Sequence, residues 1–174
     1  MKKIINIFVA LFALATFACC GEKGPELSPT HNLMLGSWHL VEWFGNEADQ
    51  NFKPVEDNTL QNPVDMIDVW IRFNANGTFD LFQKGMPNIY YSHYAGTCKV
   101  EAELLSGVYE DGKDFGATYS VKLSEDNNTL TLTNINSTDD VCVYERMDIP
   151  SKVIDGVRAS STRGEEGDSI KRFL

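Results

Sequence analysis

Ile67-Asp68-Val69-Trp70-Ile71-Arg72-Phe73, followed by Asn74-Ala75-Asn76-Gly77 and then Thr78-Phe79-Asp80-Leu81, is the stretch whose reading decides the fold. Ile67, Val69, Ile71 and Phe73 share one parity against Asp68, Trp70 and Arg72, the two-residue period of a strand that buries one face. The Asn- and Gly-containing link supplies turn residues, and Phe79 with Leu81 resumes the alternation. The stretch therefore predicts a β-hairpin.

The same rhythm continues downstream. Residues 89–101 carry Ile89, Tyr90, Tyr91, Tyr94, Cys98 and Val100, with Gly96 at the place for a bulge or a close crossing. A short strand is expected at 104–109, a turn at Glu110-Asp111-Gly112-Lys113, and a further strand on which Phe115, Ala117, Tyr119, Val121 and Leu123 share a face. Ser124 to Asn128 is a polar turn, Leu130 and Leu132 oppose Thr129, Thr131 and Thr133, and the last strand runs from about Val141 to Met147 before Pro150 stops it. Upstream, Gly36 to Phe44 reads as the first strand. The polar stretch 45–63, with Pro54 and Pro63, is a long connection suited to a lid or a bottom cover.

Eight antiparallel strands with short links, each with one apolar face and with no convincing core helix between them, bury those faces by closing into a barrel or folding into a sandwich. Closure also removes the edge strands, and sequential hairpins favour the up-and-down order. The expectation is an all-β, eight-stranded up-and-down antiparallel barrel over residues 36–149.

The beginning of the chain fixes expectations about location. Met1-Lys2-Lys3, an apolar run from Ile4 to Ala18, and then Cys19 have the parts of an export signal, and the run is short for a membrane-spanning helix, which needs roughly 20 apolar residues. The residues Leu14-Ala15-Thr16-Phe17-Ala18-Cys19-Cys20-Gly21 resemble a bacterial lipoprotein signal. That resemblance implies a signal peptide over 1–18, lipid attachment at Cys19, and an anchor in the outer membrane facing the periplasm or the surface; ordinary secretion and a retained anchor are the alternatives. Residues 19–35, with Gly21, Gly24, Pro25 and Pro29, have the composition of a tether. Residues 150–174 form a mostly polar tail whose apolar end, Ile170 to Leu174, is suited to dock on the barrel.

The formal net charge of −10 becomes more negative when Lys2 and Lys3 leave with the leader. An acidic exported domain without a basic cluster is a poor fit for nucleic acid. Cys98 and Cys142 remain in the folded part. Export makes a disulfide between them chemically reasonable, and two buried thiols are the alternative.

Gly36-Ser37-Trp38 at the start of the first of eight strands resembles the Gly-x-Trp signature of lipocalins and other calycins. The order from 36 to 147, including the hairpin at 72–79 and Tyr144-Glu145-Arg146-Met147, is similar to small lipocalin-like lipoproteins of Bacteroidetes. The resemblance implies that Arg146 packs across Trp38 to close the barrel floor, a structural role, and that the interior can enclose a small apolar molecule. The strands are shorter than those of lipocalins, and later loop motifs of the family are not matched.

Tyr90, Tyr91, Tyr94, Trp70 and Tyr109, with Phe82, are the candidates to line a mouth that grips an apolar or amphipathic ligand; ordinary packing is the competing reading. Trp43 and Trp70 fall on parities that suit an outward contact with an envelope protein. The histidines His31, His39 and His93 lack the close spacing of a metal motif. Asp139-Asp140 and Glu110-Asp111 lack the ligand spacing of a calcium loop. No metal, cofactor or catalytic residue is assigned; an enzyme would require His93 to meet an acid or an unpaired cysteine such as Cys98 in a polar pocket. The leading expectation is a non-catalytic ligand-binding barrel with a solvent-connected apolar cavity of roughly 300 Å³ or more. The alternative is a structural or interaction lipoprotein with a filled barrel.

Overall fold

The computed structural model describes residues 25–44, 67–85, 89–157 and 172–174. The expectations for the leader and Cys19, for the 45–63 connection and for the greater part of the tail lie outside the described residues. Eight strands follow one another: β1 Gly36–Phe44, β2 Ile67–Phe73, β3 Thr78–Gly85, β4 Ser92–Glu101, β5 Leu104–Tyr109, β6 Tyr119–Leu123, β7 Thr129–Asn134 and β8 Val141–Arg146. Each pairs antiparallel with the next, and β1 also pairs with β8, so the sheet closes in sequence order as an up-and-down barrel. Among the described residues, no helix is long and apolar enough to cross a membrane.

The two-residue alternation becomes the inside and outside of this wall. Val69, Ile71, Phe73, Phe79, Leu81, Leu105, Leu130 and Leu132 are buried together around the barrel axis. Burying a side chain of this size is worth about 1.5–3 kcal/mol relative to exposure, so a one-residue register slip in any strand would be heavily disfavoured. The β2–β3 hairpin closes as the sequence predicts, with Phe73 opposite Phe79 and Gly77 in the left-handed region at φ 77°. Gly96 marks a close crossing: a Cβ there would lie 2.1 Å from the Val108 carbonyl oxygen and 2.8 Å from the Phe79 ring.

Four local features differ from the sequence expectation. Pro29–Met34 at the end of the tether segment forms a short helix, α1, with Pro29 in its first turn and the Ser28 hydroxyl accepting the His31 amide. Strand β6 begins at Tyr119 rather than Phe115, because the preceding chain folds back on β5: the Phe115 amide donates to the Gly107 carbonyl, and Val108 bridges Asp114. The register shift between Leu40 and Glu42 turns Trp43 to the same side as its partner Cys142, that is, inward. After Pro150 the chain forms a second short helix, α2 (Ser151–Asp155), whose Val153 packs with Ile149, Trp70, Phe82 and Tyr91 as a separate apolar cluster on the outside of the wall.

The disulfide expected as one alternative is not formed: Cys98 and Cys142 are buried free thiols. Strands β4 and β8 stand four places apart around the closed barrel, whereas a disulfide requires Cα atoms within about 7 Å. Burial pushes the Cys98 and Cys142 thiols up to about 12.

Candidate functional site

The two ends of the barrel are built differently. At the floor, Trp38 at the start of β1 donates from Nε1 to the Met34 carbonyl of α1 at 2.7 Å. Arg146 at the end of β8 lies over the Trp38 ring at 4.1 Å and donates to the carbonyls of Leu35, Leu33 and Asn127 at 2.7, 2.8 and 2.9 Å. This is the packing implied for these two residues, and it serves a structural purpose: one guanidinium satisfies the carbonyls released at the end of α1 and holds that helix against the barrel. His31 of α1 is buried beside Cys98, with Nε2 3.9 Å from the sulfur. Burial lowers the His31 pKa while it raises that of Cys98, so both are held neutral rather than as an ion pair.

The mouth contains the wall's polar interior groups. Trp43 at the end of β1, Gln83 near the end of β3, Tyr94 near the start of β4 and Tyr109 at the end of β5 converge on the chain segment Arg172-Phe173-Leu174. Leu174 is 1% exposed and belongs to the main core. Tyr109 Oη donates to the Leu174 main-chain oxygen at 2.6 Å, and the Phe173 amide donates to Gln83 Oε1 at 3.2 Å. The Phe173 ring meets Trp43 edge-on at 4.9 Å. The Arg172 guanidinium lies 4.4 Å from the Tyr94 ring centre and 4.5 Å from that of Tyr109, and it is held by Asp111 through contacts of 3.2 and 2.7 Å. Arg172 in turn draws the exposed Asp111 carboxyl down to about 2.

A further hydroxyl lies within the wall. Tyr144 Oη is buried beside the Cys142 thiol, with no oxygen or nitrogen partner among the described residues, and burial raises its pKa well above the ordinary value, reinforced by nearby Cys142, Tyr119 and Tyr109. The mouth-side interior is thus an aromatic surround for residues 172–174 that carries the Tyr109 hydroxyl and the Gln83 amide at inward positions.

Of the five residues expected to line the mouth, the structure brings only Tyr94 and Tyr109 there. Trp70 and Tyr91 face outward beneath α2, and Tyr90, before β4, is 53% exposed. The reason is parity: on β4 the inward set is Tyr94, Gly96, Cys98 and Val100, which puts Tyr91 on the other face. Trp43 and Gln83 are mouth residues that the sequence reading did not assign. The inward turn of Trp43 depends on a bulge with no glycine or proline to announce it. Residues 172–174 of the tail pack into the mouth, while Ile170 and Lys171 of the end expected to dock lie outside the described residues.

The outer residues form a different arrangement. His39, Trp70, Phe82 and His93 lie opposite one another across β1 to β4; His39 stacks on Trp70 at 4.0 Å and His93 on Phe82 at 4.6 Å. Asp68 accepts from His39 Nε2 at 3.0 Å, from Trp70 Nε1 at 2.8 Å and from the Tyr91 hydroxyl. Asp80 accepts from His93 Nε2 at 2.9 Å. Burial alone would raise Asp68, but these hydrogen bonds outweigh it and hold the carboxyl below its usual value; for Asp80 the His93 hydrogen bond is the largest cause of the same shift. The structure therefore places His93 with Asp80 on the outer wall, while Cys98 faces inward to His31.

A depression of about 590 Å³ lies in the side wall near the β5–β6 seam, bordered by Thr97, Cys98, Ser106, Gly107 and Phe115. Only two residue pairs join β5 to β6, and Phe115 packs into the gap against Phe79 and Tyr109. Among the described residues, no group of three or more His, Cys, Asp or Glu side chains converges to hold a metal ion.

No protein-family model and no curated protein matches the chain. Among solved structures, the chain is similar to one titled "REP1-NXSQ fatty acid transporter", with 13% identity over 67% of this chain and 97% of that chain and a TM-score of 0.35.

Proposed function

We propose that this protein is a lipid-anchored lipoprotein of the cell envelope whose barrel binds a small apolar or amphipathic molecule at its mouth without transforming it. The observation that carries the reading is the make-up of the mouth-side interior. Tyr109 Oη and Gln83 Oε1 are buried hydrogen-bonding groups in an aromatic wall, and they are met by a three-residue segment that belongs to no strand. Ligand pockets commonly combine mostly apolar walls with a few placed polar groups. Anchoring through Cys19 rests on the sequence of residues 1–21, and it fits a chain of formal net charge −10.

The reading is tested by native mass spectrometry of the protein purified from its own organism, before and after denaturation. A reproducible extra mass of small-molecule size, lost on unfolding and reduced by Tyr109→Phe, supports it. A clean apo mass together with no uptake of an apolar fluorescent probe overturns it. Metabolic labelling with an alkyne fatty acid, abolished in Cys19→Ala, tests the anchor separately.

A second reading, a filled barrel acting through its outer surface, is favoured by one observation: the large side chains of Trp38, Leu40, Phe73, Phe79 and Leu81 are all buried in the lower interior. On that reading the Trp70–Tyr91–α2 face is where an envelope protein would bear, and probe binding at the mouth is absent.

A further inference from the structure

We propose that Arg172-Phe173-Leu174 is a displaceable occupant of the mouth chamber, a built-in competitor that a ligand offering an acceptor oxygen to Tyr109 and an apolar group to the Leu174 position must expel. The inference rests on the binding reading above and adds the regulation and chemical class of the same site.

Three features separate this segment from an ordinary piece of core. First, residues 172–174 join no strand ladder, whereas Trp43, Gln83, Tyr94 and Tyr109 each lie on a strand of the closed barrel. The segment can leave without breaking the barrel. Second, its contacts are side-chain and rim contacts rather than ladder pairing: the buried Leu174, the edge-on Phe173–Trp43 contact, the hydrogen bonds to Tyr109 and Gln83, the Arg172 guanidinium over the Tyr94 and Tyr109 rings, and the Arg172–Asp111 pair at the rim, whose side chains are 25% and 41% exposed. The ion pair is partly open to solvent and weakens with salt. Third, the polarity is that of a binding site: the wall supplies the Tyr109 hydroxyl as a donor and the Gln83 amide oxygen as an acceptor, and the segment answers them with the Leu174 main-chain oxygen and the Phe173 N–H.

The groups freed by displacement define the ligand. Tyr109 Oη requires an acceptor oxygen, which a carboxylate, ester or amide carbonyl can supply. The Leu174 position requires a branched or linear alkyl end. Trp43 and Tyr94 present aromatic surface to the body of the molecule. A polar head without an alkyl end would leave the buried volume unfilled, and a pure hydrocarbon would leave the Tyr109 hydroxyl unpaired.

Competition has a defined signature. If the segment occupies the chamber 99% of the time, the apparent affinity falls about 100-fold below that of the open chamber; at 90% occupancy it falls about tenfold. The probe is cis-parinaric acid, a fluorescent carboxylic acid with an alkyl end, titrated into the full chain. The proposal expects Leu174→Gly and, independently, Asp111→Asn to lower the dissociation constant at least tenfold and at least threefold. Asp111 sits at the rim and its variant leaves the chamber wall intact, so a folding defect of the first variant does not obscure the result. In the unaltered protein, saturating probe should speed hydrogen exchange at the Phe173 amide. Equal affinity of all three proteins, with unchanged Phe173 exchange, overturns the competitor while leaving a ligand-binding barrel standing. No probe binding by any of the three overturns both this inference and the binding reading beneath it.

Discussion

Replacing Arg146 by methionine removes the floor's hydrogen bonds while keeping an unbranched apolar stem over Trp38. Three hydrogen bonds disappear, to Leu33, Leu35 and Asn127 carbonyls, along with the guanidinium placed 4.1 Å from the indole. A hydrogen bond is worth about 1 kcal/mol net and a cation–π contact at a partly exposed site about 0.5–1 kcal/mol. Because Arg146 is half-buried, water recovers part of what its carbonyl partners lose, and the expected destabilisation is about 3 kcal/mol. For a domain of this size, that lowers Tm by roughly 6–12 °C. Urea unfolding followed by tryptophan fluorescence measures the stability change, and hydrogen exchange over residues 29–34 measures the release of α1. A loss below about 1 kcal/mol, or a large loss with α1 exchange unchanged, would refute the reasoning that Arg146 stabilises the barrel by tying α1 to it.

The β4–β5 turn has Ala102 and Glu103 at φ 49° and 64°, so Ala102→Asn with Glu103→Gly should stabilise by about 1 kcal/mol, read as a higher urea midpoint; an unchanged or lower midpoint would count against the turn geometry. Asp68 and Asp80 titrate below their ordinary value of 3.8 in the folded state, so their contribution is present above that value and is lost as pH falls below it through the folded pKa values. Acid unfolding should therefore steepen below about pH 4, and Asp68→Asn should flatten it; an identical acid limb in the variant would contradict the Asp68 hydrogen-bond cluster. Cys98 and Cys142, held as thiols by burial, should resist iodoacetamide in the native protein and react fully in urea without reductant, with the sites assigned by peptide mass spectrometry; a Cys98–Cys142 cross-linked peptide would contradict the separation of β4 from β8.

Much of the barrel was legible because the alternation is strong where the wall is buried on one face. The β2–β3 hairpin and the pairing of β6 with β7 follow from apolar residues two apart and from polar links of turn composition. What escaped has particular causes. Ser28 before Pro29 is a helix-start signal, but six residues beside two prolines and two glycines read as a tether. Phe115 keeps the parity of Tyr119 and so reads as strand, although the turn ending at Lys113 sends it back to Gly107. The candidate site was half legible. Tyr94 and Tyr109 were within reach because their strands keep regular alternation, whereas Trp43 sits beyond a bulge and Gln83 is a polar residue at an inward position. Trp70 and Tyr91 attract attention as large aromatics, yet their partner, α2, is a five-residue helix too short to announce its apolar face by period. The apolar end of the tail was visible in sequence, but its target was not, since the contacts of Leu174 with Tyr109 and of Phe173 with Gln83 join residues far apart in the chain.

The most direct test of the central claim, that the mouth rather than the outer aromatic face is the ligand site, is a nuclear magnetic resonance titration of the isotopically labelled protein with dodecanoic acid. The account predicts saturable shifts at the Trp43 indole N–H and at Tyr94, Tyr109 and Phe173, with the Trp70 indole N–H and Val153 unmoved. Shifts confined to Trp70, Tyr91 and Val153, with the mouth resonances unchanged at saturation, would contradict it.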